Sequence, residues 1–279
     1  FTPAEGYRFL IAPDENEETL TELMINAIDH FCDNNNISGC HFLYVDPQWR
    51  SMIENFGFTS WLHHNYIWQN QGYQNFDDYL AMFNSNQRRN IKRERKAVEK
   101  AGLRMETLTG EEIPHGLFSR MYHFYENTCD KFGWWGSKYL TKTFFEELYH
   151  NYRHRVLFVA AYSTQDERVP MGMSFCINKR DRLYGRYWGS SQEIDCLHFD
   201  ACYYSPIEWA IKNGVQIFDP GAGGSHKKRR GFPALPNHSV HRFYHSRLSQ
   251  IFKSYISQIN ELEQKEIDAV NGELPFNIS

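Results

Sequence analysis

Three strand-like segments follow one another closely: "HRVLFVAAYS" (154–163), "VPMGMSFCINK" (169–179) and "RLYGRYWGS" (182–190). Only short charged turns separate them, and connections that short join antiparallel neighbours, so the segments form an antiparallel meander. A helix-like stretch follows, "HFDACYYSPIEWAIKNG", patterned through Trp209 and Ile211 and stopped at Gly214, with Pro206 in its first turn or kinking it. The short strand "VQIFDP" then delivers "GAGGSHKKRRGF" at its C-terminal end, where α/β sheets commonly place ligands.

Upstream, "YRFLIAP" reads as a strand closed by Pro13. "ENEETLTELMINAIDHFCDNNN" is a helix with Leu20, Leu23, Met24, Ala27, Ile28 and Phe31 on one face. "CHFLYVD" is strand-like, "PQWRSMIENFG" a short helix with Pro47 in its first turn, and "FTSWLHHNYIWQN" extended. This is part of an α/β layer rather than a whole domain. From Gly72 to Gly102 the spacing predicts two helices, or one broken at Asn84-Ser85-Asn86. The second carries Arg88, Arg89, Lys92, Arg93, Arg95 and Lys96 against a single Glu94. Such a run is often only a solvated face, but cations this dense repel one another unless an anion or salt screens them. A further helix covers 115–132, "GWWGSKYL" makes an aromatic turn, and "TKTFFEELYHNY" is helical from Thr141 as N-cap. Strand-like "SVHRFYH" and a polar helix from Leu248 to about Val270 finish the chain.

Charge is unevenly spread. The first 70 residues hold two basic against ten acidic residues, which leaves 28 against 24 in the rest, near −8 and +4 respectively. Anionic partners should therefore prefer the later part. Six cysteines without C-x-x-C or metal-finger spacing fit a reduced, cytoplasmic chain. No apolar run is long enough to cross a bilayer, and the N-terminus lacks a signal pattern.

The order of helices, meander, helix, strand and final extended pair resembles one complete domain of the Gcn5-related N-acyltransferase superfamily. That implies an α/β (α+β) fold, a mixed sheet flanked by helices, spanning residues 71–247. Residues 1–70 resemble the later half of a second such domain, with 248–279 as C-terminal helix and tail. Tandem domains of this kind mark the Fem-type aminoacyl transferases. The words "NQRRNIKRERK", "LYGRYWG", "LHFDACYYSPIEWAI" and "DPGAGGSHKKRRGF" are similar to signature segments of FemAB-like proteins labelled for peptidoglycan biosynthesis. The likeness implies an acyl or aminoacyl transferase forming an amide on an amine acceptor, with aminoacyl-tRNA or acyl-CoA as co-substrate and no tightly bound cofactor. Two departures stand out. Gly223 and Ser225 replace an expected amide and acid, and "GSSQEIDCLHF" lacks the closely spaced glycines of acetyl-CoA-binding loops, which favours a donor other than free acetyl-CoA.

The residues themselves support a phosphate-bearing partner. Gly221, Gly223 and Gly224 permit positive φ and let backbone N–H groups converge on an anion, which Lys227, Lys228, Arg229 and Arg230 could neutralise. A tight turn with a soluble basic tip is the plainer alternative. Amide formation needs a positioned carbonyl, a proton acceptor for the amine and donors for the oxyanion. His198 and His226 are candidate proton carriers, and Lys227 and Arg230 candidate electrostatic stabilisers. Substrate-lining candidates are Arg186, Tyr187 and Trp188 on one strand, Asp200, Tyr204 and Glu208 on the helix after it, Ser225 and Lys228 in the turn, and Arg88, Arg89, Asn90 and Arg93 in the basic run. Core packing is the plainer alternative for one of Tyr187 and Trp188, because neighbouring strand residues face opposite sides. The resemblance adds Ser239 and His241. His198 and Cys202 lie four apart, but no second ligand pair follows, so no metal site is expected. A noncatalytic RNA- or phosphate-binding module is the competing reading. It is weakened because the run Arg88–Lys96 contains no aromatic residue to stack on bases.

Overall fold

The computed structural model describes residues 4–221 and 223–277, apart from the side chains of Trp135 and Glu167. In chain order the elements are α1 (Glu17–Asn34), β1 (Gly39–Phe42), α2 (Pro47–Asn55), β2 (Thr59–Tyr66), β3 (Trp68–Gln69), α3 (Phe76–Ala81), α4 (Ser85–Lys100), β4 (Leu103–Thr109), α5 (His115–Lys131), α6 (Lys142–Glu147), β5 (Val156–Ser163), β6 (Asp166–Lys179), β7 (Arg182–Ser190), α7 (Leu197–Phe199), α8 (Ser205–Lys212), β8 (Ile217–Asp219), β9 (Ala234–Phe243) and α9 (Ser246–Gly272). A single π-helical turn, Asp200–Tyr204, joins α7 to α8. Among the described residues no helix is long and apolar enough to cross a membrane.

The chain divides into two compact units. The first comprises residues up to Tyr66 with Gly223, Gly224 and Pro233–Glu273, and the second comprises Ile67–Gly221, Ser225–Phe232 and the segment from Leu274 onward. In the first, an antiparallel sheet has the order β1-β9-β2. The strand containing Ser239 and His241, assigned from sequence to the span 71–247, thus pairs with β1 and β2, with His41 opposite His241 and Trp61 opposite Ser239. A strand's partners lie far away in sequence, so its own alternation does not reveal them. His245 leaves the strand and caps α9. The expected strand at Tyr7–Pro13 reduces to one bridge, Tyr7 to Val45, and Leu10 there is 93% exposed. Asp46 caps α2 through the amides of Gln48 and Trp49, with Pro47 in its first turn as expected. Phe9, Ile25, Phe42, Trp49, Ile53, Phe58 and Val240 fill this unit's core.

Along α9, one face carries Phe252, Ile256, Asn260, Glu263, Ile267 and Asn271 at helical spacing. Phe252 meets Trp61 and His241, and Glu263 lies 2.7 Å from His64. Asn260 accepts from the Leu62 amide at 2.8 Å and donates to the Ser60 carbonyl at 3.1 Å. Asn271 does the same for Ala234, at 2.8 and 2.9 Å.

The second unit is built on a six-stranded sheet of order β3-β8-β7-β6-β5-β4. β4 through β7 are consecutive antiparallel neighbours, β8 joins β7 in parallel, and β3 closes the edge antiparallel to β8. The expected meander gains a fourth strand, β4, in which only Leu103 and Leu108 are buried and the apolar signal is correspondingly weak. Residues Val156–Tyr162 of β5 are buried at every position, as a strand covered on both faces must be. Leu117, Phe118, Met121, Phe124 and Tyr125 of α5 and Phe145 of α6 pack on Phe158, Ala160, Met173 and Phe175. Val98 of α4 and Leu197 of α7 join Leu103 and Ala161 in a separate cluster. The fold is the mixed sheet flanked by helices that the sequence implied. The break expected near Asn84 is real, because Asn84 leaves the helix and caps α4 through the Gln87 amide.

α5 lies so close to β7 that a Cβ on Gly189 would stand 2.3 Å from the Phe124 carbonyl oxygen. Backbone cannot yield as a side chain does. Gly189→Ala should therefore cost about 1–3 kcal/mol of stability by overpacking, read as a lower urea midpoint.

Candidate active site

β7 and β8 pair at only three positions, Arg182–Ile217, Leu183–Phe218 and Tyr184–Asp219. β8 ends there while β7 continues to Ser190 with no strand among the described residues beside it on that side. Gly185 marks the parting, where a Cβ would meet the Pro220 backbone at 3.1 Å. On the other side the β6 register slips, Phe175 facing Tyr187 and Cys176 facing Gly185, so Arg186 is the extra residue of a bulge. Bulges bend a strand and re-aim its side chains. Tyr187 turns to Tyr125, with ring centroids 4.7 Å apart, and joins the α5 core. Trp188 belongs to the other cluster and meets the His198 ring at 5.1 Å.

Past β8, Asp219 accepts the Gly221 amide at 2.8 Å. Gly221, Gly223 and Gly224 have φ of 94°, 69° and 87°, so the positive-φ turn read from the glycines is present. The segment Ser225–Arg230 then forms a tight 3-10 helix. Two of its four cations point inward. Lys227 is 3% exposed and donates to the Gly221 carbonyl at 2.6 Å, fastening the turn to itself. Burial pulls its pKa down to about 8, opposed by Asp219. Burial likewise raises the Asp219 carboxyl. Arg230, also 3% exposed, pairs with Glu94 at 2.9 Å, donates to the His226 carbonyl at 2.9 Å and lies 3.4 Å from the Phe199 ring centroid. Its charge is matched from within the protein. Ser225 and Arg229 are exposed and Lys228 half-buried.

Glu94 is the node of this arrangement. Tyr204 donates its hydroxyl to the carboxylate, and Asn90 donates to its other oxygen at 3.0 Å. The Tyr79 hydroxyl reaches the Arg230 carbonyl at 2.7 Å, and the Gln87 amide reaches the Arg229 carbonyl at 2.7 Å. The next residue along α4, Arg95, is 2.8 Å from Glu208 and 3.6 Å from buried Asp200, which accepts from Ser205 at 2.8 Å. Sequence reasoning passed over Glu94, Asp219, Tyr79 and Tyr203. Glu94 did carry a signal, as the lone acid within a cationic run.

His226 Nε2 and the Tyr203 hydroxyl are 2.8 Å apart, and the His226 and His198 rings lie 5.9 Å apart. Burial, then Arg230 and Lys227, lower the His226 pKa. Burial with His226, Arg230 and Lys227 takes His198 down to about 4. Both imidazoles are therefore neutral at neutral pH. Burial holds the Cys202 thiol well above its usual range, so it is no thiolate nucleophile.

Not every candidate gathers here. Arg89 and Arg93 lie on the exposed side of α4, with Arg88 half-buried and Arg93 bonded to Asn90. Ser239 and His241 belong to the first unit. There Ser239 Oγ is 2.7 Å from His241 Nε2 and 3.2 Å from His63, and His241 Nδ1 is 2.8 Å from His41 Nδ1.

Removing one member of a buried ion pair leaves an uncompensated charge. Glu94→Leu should cost about 3–5 kcal/mol, and Glu94→Leu/Arg230→Met should recover most of it, both read by urea denaturation. His198 titrates lower folded than unfolded, so the unfolded chain binds more protons between about pH 4 and 6.5. Stability present above that window is lost as pH falls through it. In thermal melts across it, His198→Phe should flatten the slope by up to about 1.4 kcal/mol per pH unit.

The chain resembles solved structures with distant sequences. L-PGS from Bacillus licheniformis matches with a TM-score of 0.57 at 11% identity, over 86% of this chain and 77% of that one. The C-terminal domain of an Agrobacterium fabrum protein assigned as a lysylphosphatidylglycerol synthetase matches at 0.54 and 9% identity, over 91% and 81%. FemX matches at 0.52 and 10% identity, over 84% and 79%. These likenesses establish a shared fold. No curated protein matches in sequence. The profile of one family, described as acting in peptidoglycan biosynthesis/recognition, matches residues 1–278. The chain belongs to the FemAB-like family.

Proposed function

We propose that the second unit transfers an acyl or aminoacyl group to an amine where β7 parts from β8. The observation that carries this reading is the side of β7 beyond Gly185, which no strand among the described residues covers, where the Trp188 carbonyl accepts from Thr128 and which Trp188 and two neutral imidazoles border. A strand edge without a partner offers backbone N–H groups to a carbonyl and to the oxyanion formed from it. The amine nitrogen attacks that carbonyl carbon, and the bond to the donor's oxygen or sulfur breaks. His226 accepts the amine proton and returns it to the leaving group, with Tyr203 holding its ring. His198 is the weaker base and lines the cleft beside Trp188.

The donor we favour is an aminoacyl ester of tRNA. Exposed Arg89, Lys92, Arg93 and Lys96 on α4 support it, as does the absence of a glycine-patterned loop between β7 and α7. The family's description and the FemX likeness support an amine on a cell-wall precursor as acceptor, while the synthetase likeness leaves a lipid headgroup as the alternative. Free cysteines support a cytoplasmic setting.

The purified chain should be given radiolabelled aminoacyl-tRNA or acyl-CoA in turn, with amine acceptors, and amide product measured. Product from tRNA but not CoA is expected, and His226→Ala should lower kcat by about 100-fold or more. Equal rates for wild type and His226→Ala would remove His226 from the chemistry. No product from either donor, with the fold intact, would overturn the transferase reading.

A further inference from the structure

α9 is a 27-residue helix with two apolar stripes, one packed on the first unit's sheet and the other exposed among the described residues. The inner stripe, from Phe252 to Asn271, seats the helix on β2 and β9. The outer stripe is Leu248, Ile251, Tyr255, Ile259 and Leu262, exposed by 42%, 48%, 58%, 37% and 59%. Leu248, Tyr255 and Leu262 are each seven residues apart, with Ile251 between the first two, which is the spacing of a coiled-coil seam. Five large apolar side chains in line on one helix face are more than scattered surface hydrophobics.

The charges beside the stripe indicate what covers it. Arg247 and Glu261 are both exposed, and neither is ion-paired within the chain among the described residues. They lie fourteen residues apart, two heptads, and so flank the seam on the same side. They are also equidistant from Ser254. Reversing the helix about that point carries one onto the other, which is the self-complementarity a twofold interface requires.

We propose that α9 pairs antiparallel with α9 of a second copy of this chain, about a twofold axis near Ser254. In that register Arg247 lies across from Glu261 of the second copy, and the reverse pair forms at the other end. Ile251 stands beside Tyr255 of the second copy, and Leu248 and Ile259 close the seam. A parallel pairing would gain nothing from these charges, because residue 247 would then meet its own equivalent end.

The test is sedimentation equilibrium across a dilution series of wild type, Arg247→Glu, Glu261→Arg and the double variant, with circular dichroism confirming the fold. All changes are on exposed positions. Wild type should dimerise, and each single reversal should raise the dissociation constant about tenfold or more, because like charges then face one another. The double reversal restores opposite charges only if residue 247 faces residue 261 of the second copy, and it should return the constant to near the wild-type value. A monomer at every concentration overturns the proposal. So does a dimer indifferent to the single reversals, or one that the double reversal fails to restore.

Discussion

The ion pair between Glu94 and Arg230 organises the second unit's candidate site. Both groups are almost fully buried, and taking two charges from water costs more than their attraction alone returns. Here the surroundings share the load. Tyr204 and Asn90 donate to the carboxylate, while a carbonyl and an aromatic face receive the guanidinium. Arg230 Nε has no partner among the described residues, so the arrangement is not one of maximal stability. What it secures is position. With Tyr79 and Gln87 holding the carbonyls of Arg230 and Arg229, the basic turn after β8 is fastened to α3 and α4.

That fastening changes what the basic turn can do. A row of four cations after a glycine turn suggests an open anion cradle, yet Arg230 is neutralised by Glu94 and Lys227 serves the turn's own carbonyl. The same buried cations press on the histidines. Burial first, and then Arg230 and Lys227, disfavour protonation of His226 and His198, so the positive field that could have bound phosphate instead helps burial keep two imidazoles basic in form. Among the cations that do face solvent are Arg89, Lys92, Arg93 and Lys96 of α4.

Much of this was legible in the chain. Apolar strand-like runs with short turns specified the meander, Asn84 marked the start of α4, and the glycines after "IFDP" marked a positive-φ turn, because each signal is local. Three features were not local. β4 carries only two buried leucines, too few for a clear pattern. The pairing of β9 with β1 and β2 joins residues some 200 positions apart, such as His41 and His241, which no window of sequence relates. Glu94 and Arg230 each sit in a run of like charges, and composition reports such runs as solvated surface. The exceptions, one acid among the bases of the first run and Lys227 and Arg230 turned inward in the second, become meaningful only once the fold is formed.

The side-chain amide of Asn260 has a consequence for how the first unit meets other chains. It gives and takes hydrogen bonds at Leu62 and Ser60 as a peptide group of a neighbouring strand would. β2 is an outer strand, and outer strands are templates for further pairing. At that point the template is already occupied by an imitation of the missing neighbour, so a foreign β-segment cannot zip along β2 without first displacing α9.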